Sequence, residues 1–251
     1  MYGLVDADSL CYKAGANETE RDVRMYIDNT IRTMISAGGT SAITGWVEMH
    51  GGKSNFRNHV ATTLPYKGNR SGPKPPYLNY AKDYMVEQYG FHWARWVESE
   101  DMVLINASRI GYDKCVIFYY DKDLLQVPGS FINYRDWSKV SLSEEQAEFN
   151  LYSQFLTGDK SCDNIPGLNG VGKVGASKAL TSSDRADWPV VVAKMYAERG
   201  HTYDYLLEQC RLLYLLRHMN EVYQFPIDRQ EYGAIVESIG ETKGGSNGID
   251  C

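Results

Sequence analysis

With 251 residues, 43% of them apolar and 23% charged, the chain can build one large packed domain or two small ones of ordinary globular composition. No apolar run approaches the roughly 18 residues a membrane span needs, and Asp6 and Asp8 interrupt the apolar start, so neither a spanning segment nor a signal peptide is expected. A formal charge of −6 argues against general coating of nucleic acid, and five cysteines (Cys11, Cys115, Cys162, Cys210, Cys251) without CxxC spacing point to reduced thiols in a cytoplasm-like compartment.

Residues 2–5 read as a buried strand, followed by a polar turn at 6–9 and a helix from near Leu10. Residues 21–36 place Val23, Ile27, Ile31 and Ile35 four apart, an amphipathic helix ended by Gly38 and Gly39. Residues 42–47, 91–97 and 115–120 read as three more strands, with helices over 75–89 and 102–110 between them. Strands alternating with helices imply a parallel α/β sheet whose ligands bind beyond the carboxyl ends of the strands. From Ser143 only helices are expected. Ser143 and Gln146 form a capping box opening a helix to Leu156, a Gly/Pro/Asn-rich loop covers 158–175, and helices follow around 176–180, 190–199 and 203–218. The Gly-rich polar stretch 240–251 is expected to be disordered.

Acids stand where these strands end. Asp6 and Asp8 follow the first, Glu48 the second, Glu98, Glu100 and Asp101 the third, Asp121 and Asp123 the fourth. A parallel sheet brings all of them to one edge, where converged carboxylates repel unless cations neutralise them. Oxygen-only ligands suit Mg²⁺ or Mn²⁺ rather than zinc, and two such ions about 4 Å apart can activate a water and stabilise a leaving oxygen. Taken singly, each acid also reads as a turn former or helix cap, Asp8 as the N-cap of the following helix and Glu100 as an acid favoured by a helix dipole.

Between Lys53 and Lys82 lie six basic residues (Lys53, Arg57, Lys67, Arg70, Lys74, Lys82) and no acid, which suits an enzyme acting on a polyanion; a solvated loop is the plainer reading. Asp159 and Asp163 open a second acidic motif that runs into Gly170, Gly172 and Lys173. There, glycine backbone amides, a helix N-terminus and a lysine would grip phosphates without reading bases. The spacing of a P-loop is absent.

Together these motifs, spread over residues 4–180, resemble the flap endonuclease / 5′-to-3′ exonuclease family, bacteriophage type, and the 5′ nuclease domain of bacterial DNA polymerase I. The opening strand ending in Asp6, the Tyr66-Lys67-Gly68-Asn69-Arg70 segment, Glu98-Ser99-Glu100-Asp101, Asp121-Lys122-Asp123 and the Gly158–Gly172 loop carry the likeness in order. Glu100 and Glu48 stand where the family usually has Asp, Asp159 and Asp163 are one residue further apart, and Asp8 has no counterpart in many relatives.

The resemblance implies a PIN-like parallel sheet flanked by helices, with a helical C-terminal part containing a helix–three-turn–helix motif. It implies a nuclease domain over 1–140 with a basic helical arch at about 53–90, and a DNA-binding region over 141–239. It further implies that Lys67 and Arg70 act on the scissile phosphate; Tyr66 and Tyr77 could stack on bases, though among 19 tyrosines packing is the better reading of both. One Mg²⁺ or Mn²⁺ would sit on Asp6, Glu98, Glu100 and Asp101, and a second on Asp121, Asp123, Asp159 and Asp163, with Asp8 and Glu48 as further candidates and K⁺ at the helix–three-turn–helix. The expected protein is a monomer in the cytoplasm of a phage host, cutting DNA at a 5′ end, flap or nick during replication. Two other readings stay open. A haloacid-dehalogenase-type phosphatase would use Asp6 as nucleophile, and a non-catalytic DNA-binding module would use only the basic segment and the glycine loop.

Overall fold

The computed structural model describes residues 1–51 and 55–244, so Lys53 and residues 245–251 of the expected disordered tail lie outside the described residues. The chain divides into two compact units, one of residues 1–59, 70–148 and 215–221, the other of 60–69, 149–214 and 222 onward.

The first unit is built on a six-stranded sheet: β1 (Tyr2–Asp6), β2 (Ala42–Glu48), β3 (His92–Ala94), β4 (Cys115–Tyr119), β5 (Gly129–Asn133) and β6 (Lys139–Leu142), in the order β3-β2-β1-β4-β5-β6. Every neighbouring pair is parallel except β5–β6. Helices cover both faces of the central strands, which is why β1 and β4 are continuous apolar runs rather than alternating ones. Val5, Val47, Val116, Phe118 and Ile132 face α1 (Ala7–Ala14), α2 (Glu20–Gly38) and α4 (Leu78–Tyr89); a single helical turn, α3 (Arg57–Val60), precedes α4 in the chain. Leu4, Trp46, Ile117 and Phe131 face α5 (Ser99–Ile110) together with Leu215.

Several expectations are corrected here. The hairpin-like pair β5 and β6 was not anticipated, because β6 is a four-residue edge strand with two exposed positions. The third strand is three residues rather than seven, since the chain leaves it at Arg95 and turns at Trp96 with φ +66°. In α2 the core position is Met34, fully buried, whereas Ile35 is 41% exposed. Helix α4 buries Leu78, Ala81 and Met85 in the core, so residues 78–89 are no part of an arch. The expected helical arch is also absent from residues 66–70, which form turns; Pro65, Gly68, Gly72 and Pro73 deny that stretch a regular helix.

In the second unit run α7 (Lys173–Thr181), α8 (Trp188–Glu198), α9 (Tyr203–Leu213), α10 (Arg229–Gly244) and the greater part of α6 (Glu144–Thr157). The predicted capping box opens α6, with the Gln146 amide donating to Ser143 Oγ at 3.2 Å and the Ser143 amide to Gln146 Oε1 at 2.9 Å. Tyr196 donates its hydroxyl to the Phe155 carbonyl at 2.6 Å, and Trp188 Nε1 donates to the Leu180 carbonyl at 3.0 Å. Helix α10 packs against α8 and continues to Gly244, so the expected disorder does not begin at Gly240. Helix α9 ends at Leu213 rather than near 218 because the backbone turns extended at Tyr214, with ψ 126°. No described helix is long and apolar enough to cross a membrane.

Candidate functional site

Beyond the carboxyl ends of β3, β2, β1 and β4, four adjacent strands, stand the acids of the first unit. Asp6 closes β1 and caps α1, which begins at Ala7; the Asp8 amide donates to Asp6 Oδ1 at 3.2 Å, so Asp6 rather than Asp8 is the cap. Ser99 Oγ donates to the same oxygen at 2.5 Å and lies 3.1 Å from Glu100 Oε2, linking the acids of β1 and α5. Asp6 is fully buried, and among the described residues its Oδ2 has no hydrogen-bond partner. Burial pushes its carboxyl up to about 6; the nearby Asp8 charge adds to this, and the hydrogen bond from Ser99 opposes it.

Asp101 has a different part from the one expected. It is fully buried, and its two oxygens accept from Arg57 Nη1 (2.6 Å) and Nη2 (2.9 Å) and from the amides of Glu98 (2.9 Å) and Leu216 (2.9 Å). A carboxylate offers about four lone-pair directions, so these contacts saturate it and leave none for a cation. The same residues hold Glu98. Asn55 Nδ2 donates to Glu98 Oε1 at 2.8 Å, and Arg57 Nη1 stands 3.7 Å from Oε2. Arg57, read from sequence as a surface cation, is 1% exposed.

Lys82 is likewise internal. Its Nζ lies 2.6 Å from Asp8 Oδ1 and donates to the Glu48 carbonyl at 2.9 Å, while the Glu48 amide donates to Asp8 Oδ1 at 3.0 Å. Burial alone would lower the Lys82 pKa; the charges of Asp8 and Glu48 outweigh it and hold the ammonium above its ordinary range. Asp8 is thus neutralised by a lysine of its own chain. After β4, Asp121 Oδ1 caps the turn at 122–124 by accepting the Asp123 amide at 3.2 Å, and Asp123 lies 3.3 Å from Lys122 Nζ. Among the described residues no three His, Cys, Asp or Glu side chains converge into a ready-made cation cage. The feature that fits a cation is the orphaned, buried Asp6 Oδ2, an oxygen of the kind that hard divalent cations take.

In the second unit, Tyr66, Lys67 and Asn69 are pinned to the loop after α6. Tyr66 donates its hydroxyl to Asp163 Oδ2 at 2.9 Å, and the Lys67 amide donates to the Asp163 carbonyl at 2.9 Å. Lys67 Nζ is 3.9 Å from Asp163 Oδ1, and Asn69 Nδ2 donates to the Lys160 carbonyl at 2.7 Å. Tyr66 is 8% exposed, in keeping with packing rather than base stacking. Asp159 Oδ1 accepts from the Cys162 amide at 2.9 Å and from Ser161 Oγ at 3.3 Å, and so organises its own turn.

The glycines of this loop divide by role. A Cβ on Gly158 would stand 2.4 Å from the Ile165 carbonyl, and one on Gly167 would stand 2.4 Å from the Gly158 amide, so these two let the ends of the loop close. Gly170 and Gly172 meet nothing within 4 Å. Gly172 is the N-cap of α7 without a side-chain cap, and Lys173 beside it is exposed. Arg70 and Lys74 are exposed residues of the first unit.

A mostly parallel sheet with acids along its carboxyl edge, and a helical part holding a glycine-rich loop between two helices, is the fold of the phage flap endonucleases and 5′-exonucleases. The solved structures that share it come from bacteriophage T5. The T5 D15 protein co-crystallised with metal ions matches with a TM-score of 0.71 and 17% identity, over 96% of this chain and 98% of that one. A pseudo-enzyme–product complex with DNA and metal ions matches at 0.69 and 17% over the same shares. A 5′-exonuclease with bound zinc matches at 0.69 and 18%, over 96% of this chain and 99% of that one. At these identities the likeness is one of fold. No protein-family model matches the sequence, and neither does any curated protein.

Ser99 is the site residue that the sequence reading passed over. Its hydroxyl bridges two of the acids, and its signal was a small hydroxyl residue at the start of α5 between Glu98 and Glu100.

Proposed function

We propose that the protein is a divalent-metal-dependent nuclease that hydrolyses DNA phosphodiesters at or near 5′ ends, as the T5 flap endonuclease and 5′-exonuclease names describe for those proteins. The observation that carries this is Asp6, a fully buried carboxylate with an unpartnered oxygen at the end of a central strand, in a sheet whose strands β2, β3 and β4 are also followed by acids. Asp6, Glu98, Glu100, Asp121 and Asp123 are the proposed holders of Mg²⁺ or Mn²⁺, with Glu48 beside them. When bound, such ions supply Lewis acidity toward a phosphoryl oxygen and charge to offset the leaving oxygen.

The chain's own groups do the rest. Arg57 and Asp101 fix Glu98, Lys82 neutralises Asp8, and Ser99 sets the Asp6 and Glu100 carboxylates relative to each other. Arg70 and Lys74, and separately Lys67, Lys173 and the open amides at Gly170 and Gly172, are proposed phosphate contacts. Asp159 and Asp163 are assigned to holding their loop.

The test is incubation with a 5′-flap duplex in Mg²⁺ and in EDTA. Cleavage that requires Mg²⁺ and is lost in Asp121→Asn is expected. Cleavage indifferent to metal, or unchanged by that substitution, refutes the proposal.

A further inference from the structure

We propose that Trp96 is a nucleobase-stacking residue, presenting its indole to an unpaired base of the DNA that lies against the acid edge; this rests on the nuclease reading above. Of the five tryptophans, the other four are buried or half-buried, whereas Trp96 is 67% exposed. Its backbone lies at φ +66°, a conformation in which bulky side chains are outliers. Such strain persists only where the surroundings over-determine it, and it clusters at ligand clamps.

Here both sides of the turn are fixed. The Phe56 amide donates to the Trp96 carbonyl at 3.0 Å, and two residues later Glu98 is held by Asn55 and by the Arg57–Asp101 pair. The chain could leave β3 with a glycine at this point and carry no strain, yet it places there the largest aromatic side chain, turned to solvent. Among the described residues the ring makes no contact with another aromatic ring and none with a cation. With two thirds of its surface open, the indole gains little from burial against the described residues. Exposed Arg95 precedes it and Glu98, a proposed metal holder, follows by two residues, so the indole stands beside the place where the strand would be cut. A flat, exposed ring there suits base stacking, which tolerates any sequence and needs no hydrogen-bond code.

The experiment measures affinity in EDTA, so that nothing is cut, for a 5′-flap duplex carrying 2-aminopurine in its unpaired strand and for the same duplex with an abasic residue there. Wild-type protein should quench the 2-aminopurine. Trp96→Ala should abolish the quench and weaken binding roughly 5- to 140-fold, the equivalent of the 1–3 kcal/mol of one stacked base. Trp96→Phe should keep most of the affinity, and the abasic duplex should bind Trp96→Ala and wild type alike.

Trp96→Gly, which accepts φ +66° without strain, should match or exceed the wild-type Tm while binding weakly. A fall in Tm for Trp96→Gly would show the indole to be structural and overturn the proposal. Unchanged affinity in Trp96→Ala, in a protein that cleaves the flap in Mg²⁺, overturns the stacking role alone and leaves the indole to a contact other than DNA. Wild-type protein that neither binds nor cleaves the duplex removes the nuclease reading and this proposal together.

Discussion

Replacing Arg57 by Met tests whether Asp101 is a clamp rather than a metal ligand. The substitution keeps the apolar stem and removes the two guanidinium bonds of 2.6 and 2.9 Å from a carboxylate that is fully buried. Among the described residues Asp101 then retains the amides of Glu98 and Leu216 as partners, and its charge is left without a counter-ion. Breaking one side of such a buried pair costs roughly 3–5 kcal/mol. With an m-value near 3 kcal/mol per molar urea for a chain of this size, the unfolding midpoint should fall by about 1–1.7 M. Arg57→Lys should lie between, because an ammonium cannot reproduce the forked contact. All measurements are made in EDTA, where a residue whose business is metal has no stabilising part to lose. A midpoint shift below about 0.5 M for Arg57→Met, or equal stability of Asp101→Asn and wild type without metal, would refute the clamp.

Asp6→Asn should behave in the opposite sense. Removing a buried charge with an orphaned oxygen should stabilise the metal-free protein by roughly 0.5–2 kcal/mol while cleavage of the flap duplex drops about 100-fold or more; a destabilised variant that still cuts would exclude Asp6 from the cation site. At Glu208, burial raises the pKa, but four hydrogen bonds from Thr62 and Thr63 outweigh it and hold the carboxyl below its ordinary value of 4.5. Its stabilisation is therefore complete above pH of about 4.5 and lost as pH falls through the lowered folded value, so the Tm deficit of Glu208→Gln at pH 7 should shrink as the pH is taken progressively below about 4.5. A deficit independent of pH would show that the charge is irrelevant. Gly158→Ala, whose new Cβ meets the Ile165 carbonyl at 2.4 Å, should lower Tm sharply, whereas Gly172→Glu should leave Tm alone and weaken DNA binding; equal thermal effects would cancel the division of roles within the loop.

What the sequence disclosed and what it withheld follow from which interactions leave a local trace. Strands β1, β2 and β4 are legible because burial on both faces demands an unbroken apolar run, and with them came the edge on which the acids stand. Strands β5 and β6 left little trace, since an edge hairpin may alternate Lys139, Val140, Ser141 and Leu142 without looking like core. Charge sign was legible, but partnership was not. Arg57 and Lys82 sit in the basic segment beside Arg70 and Lys74, and only the fold shows that two of these cations face inward to Asp101 and Asp8 while two face solvent. For the same reason Asp101, indistinguishable by spacing from Glu98 and Glu100, proves to be saturated by hydrogen bonds. In α2 the period of four pointed to Ile35, where the true 3.6-residue turn brings Met34 onto the buried face.

The return of residues 215–221 to the first unit orders events in time. Leu215 fills a place in the core beside Leu104 and Phe131, and the Leu216 amide is one of the four donors on Asp101. During synthesis the sheet and its flanking helices are complete once residue 148 has emerged, yet the acid edge must wait about 70 residues more for its last hydrogen bond, roughly 4–14 s at the usual elongation rate. A fragment cut at residue 148 would keep every strand and all of the proposed cation holders but would leave a gap beside Leu104 and a buried carboxylate short of a donor. The ribosome thus releases the parts of the proposed catalytic edge well before it releases the residue that locks them in place.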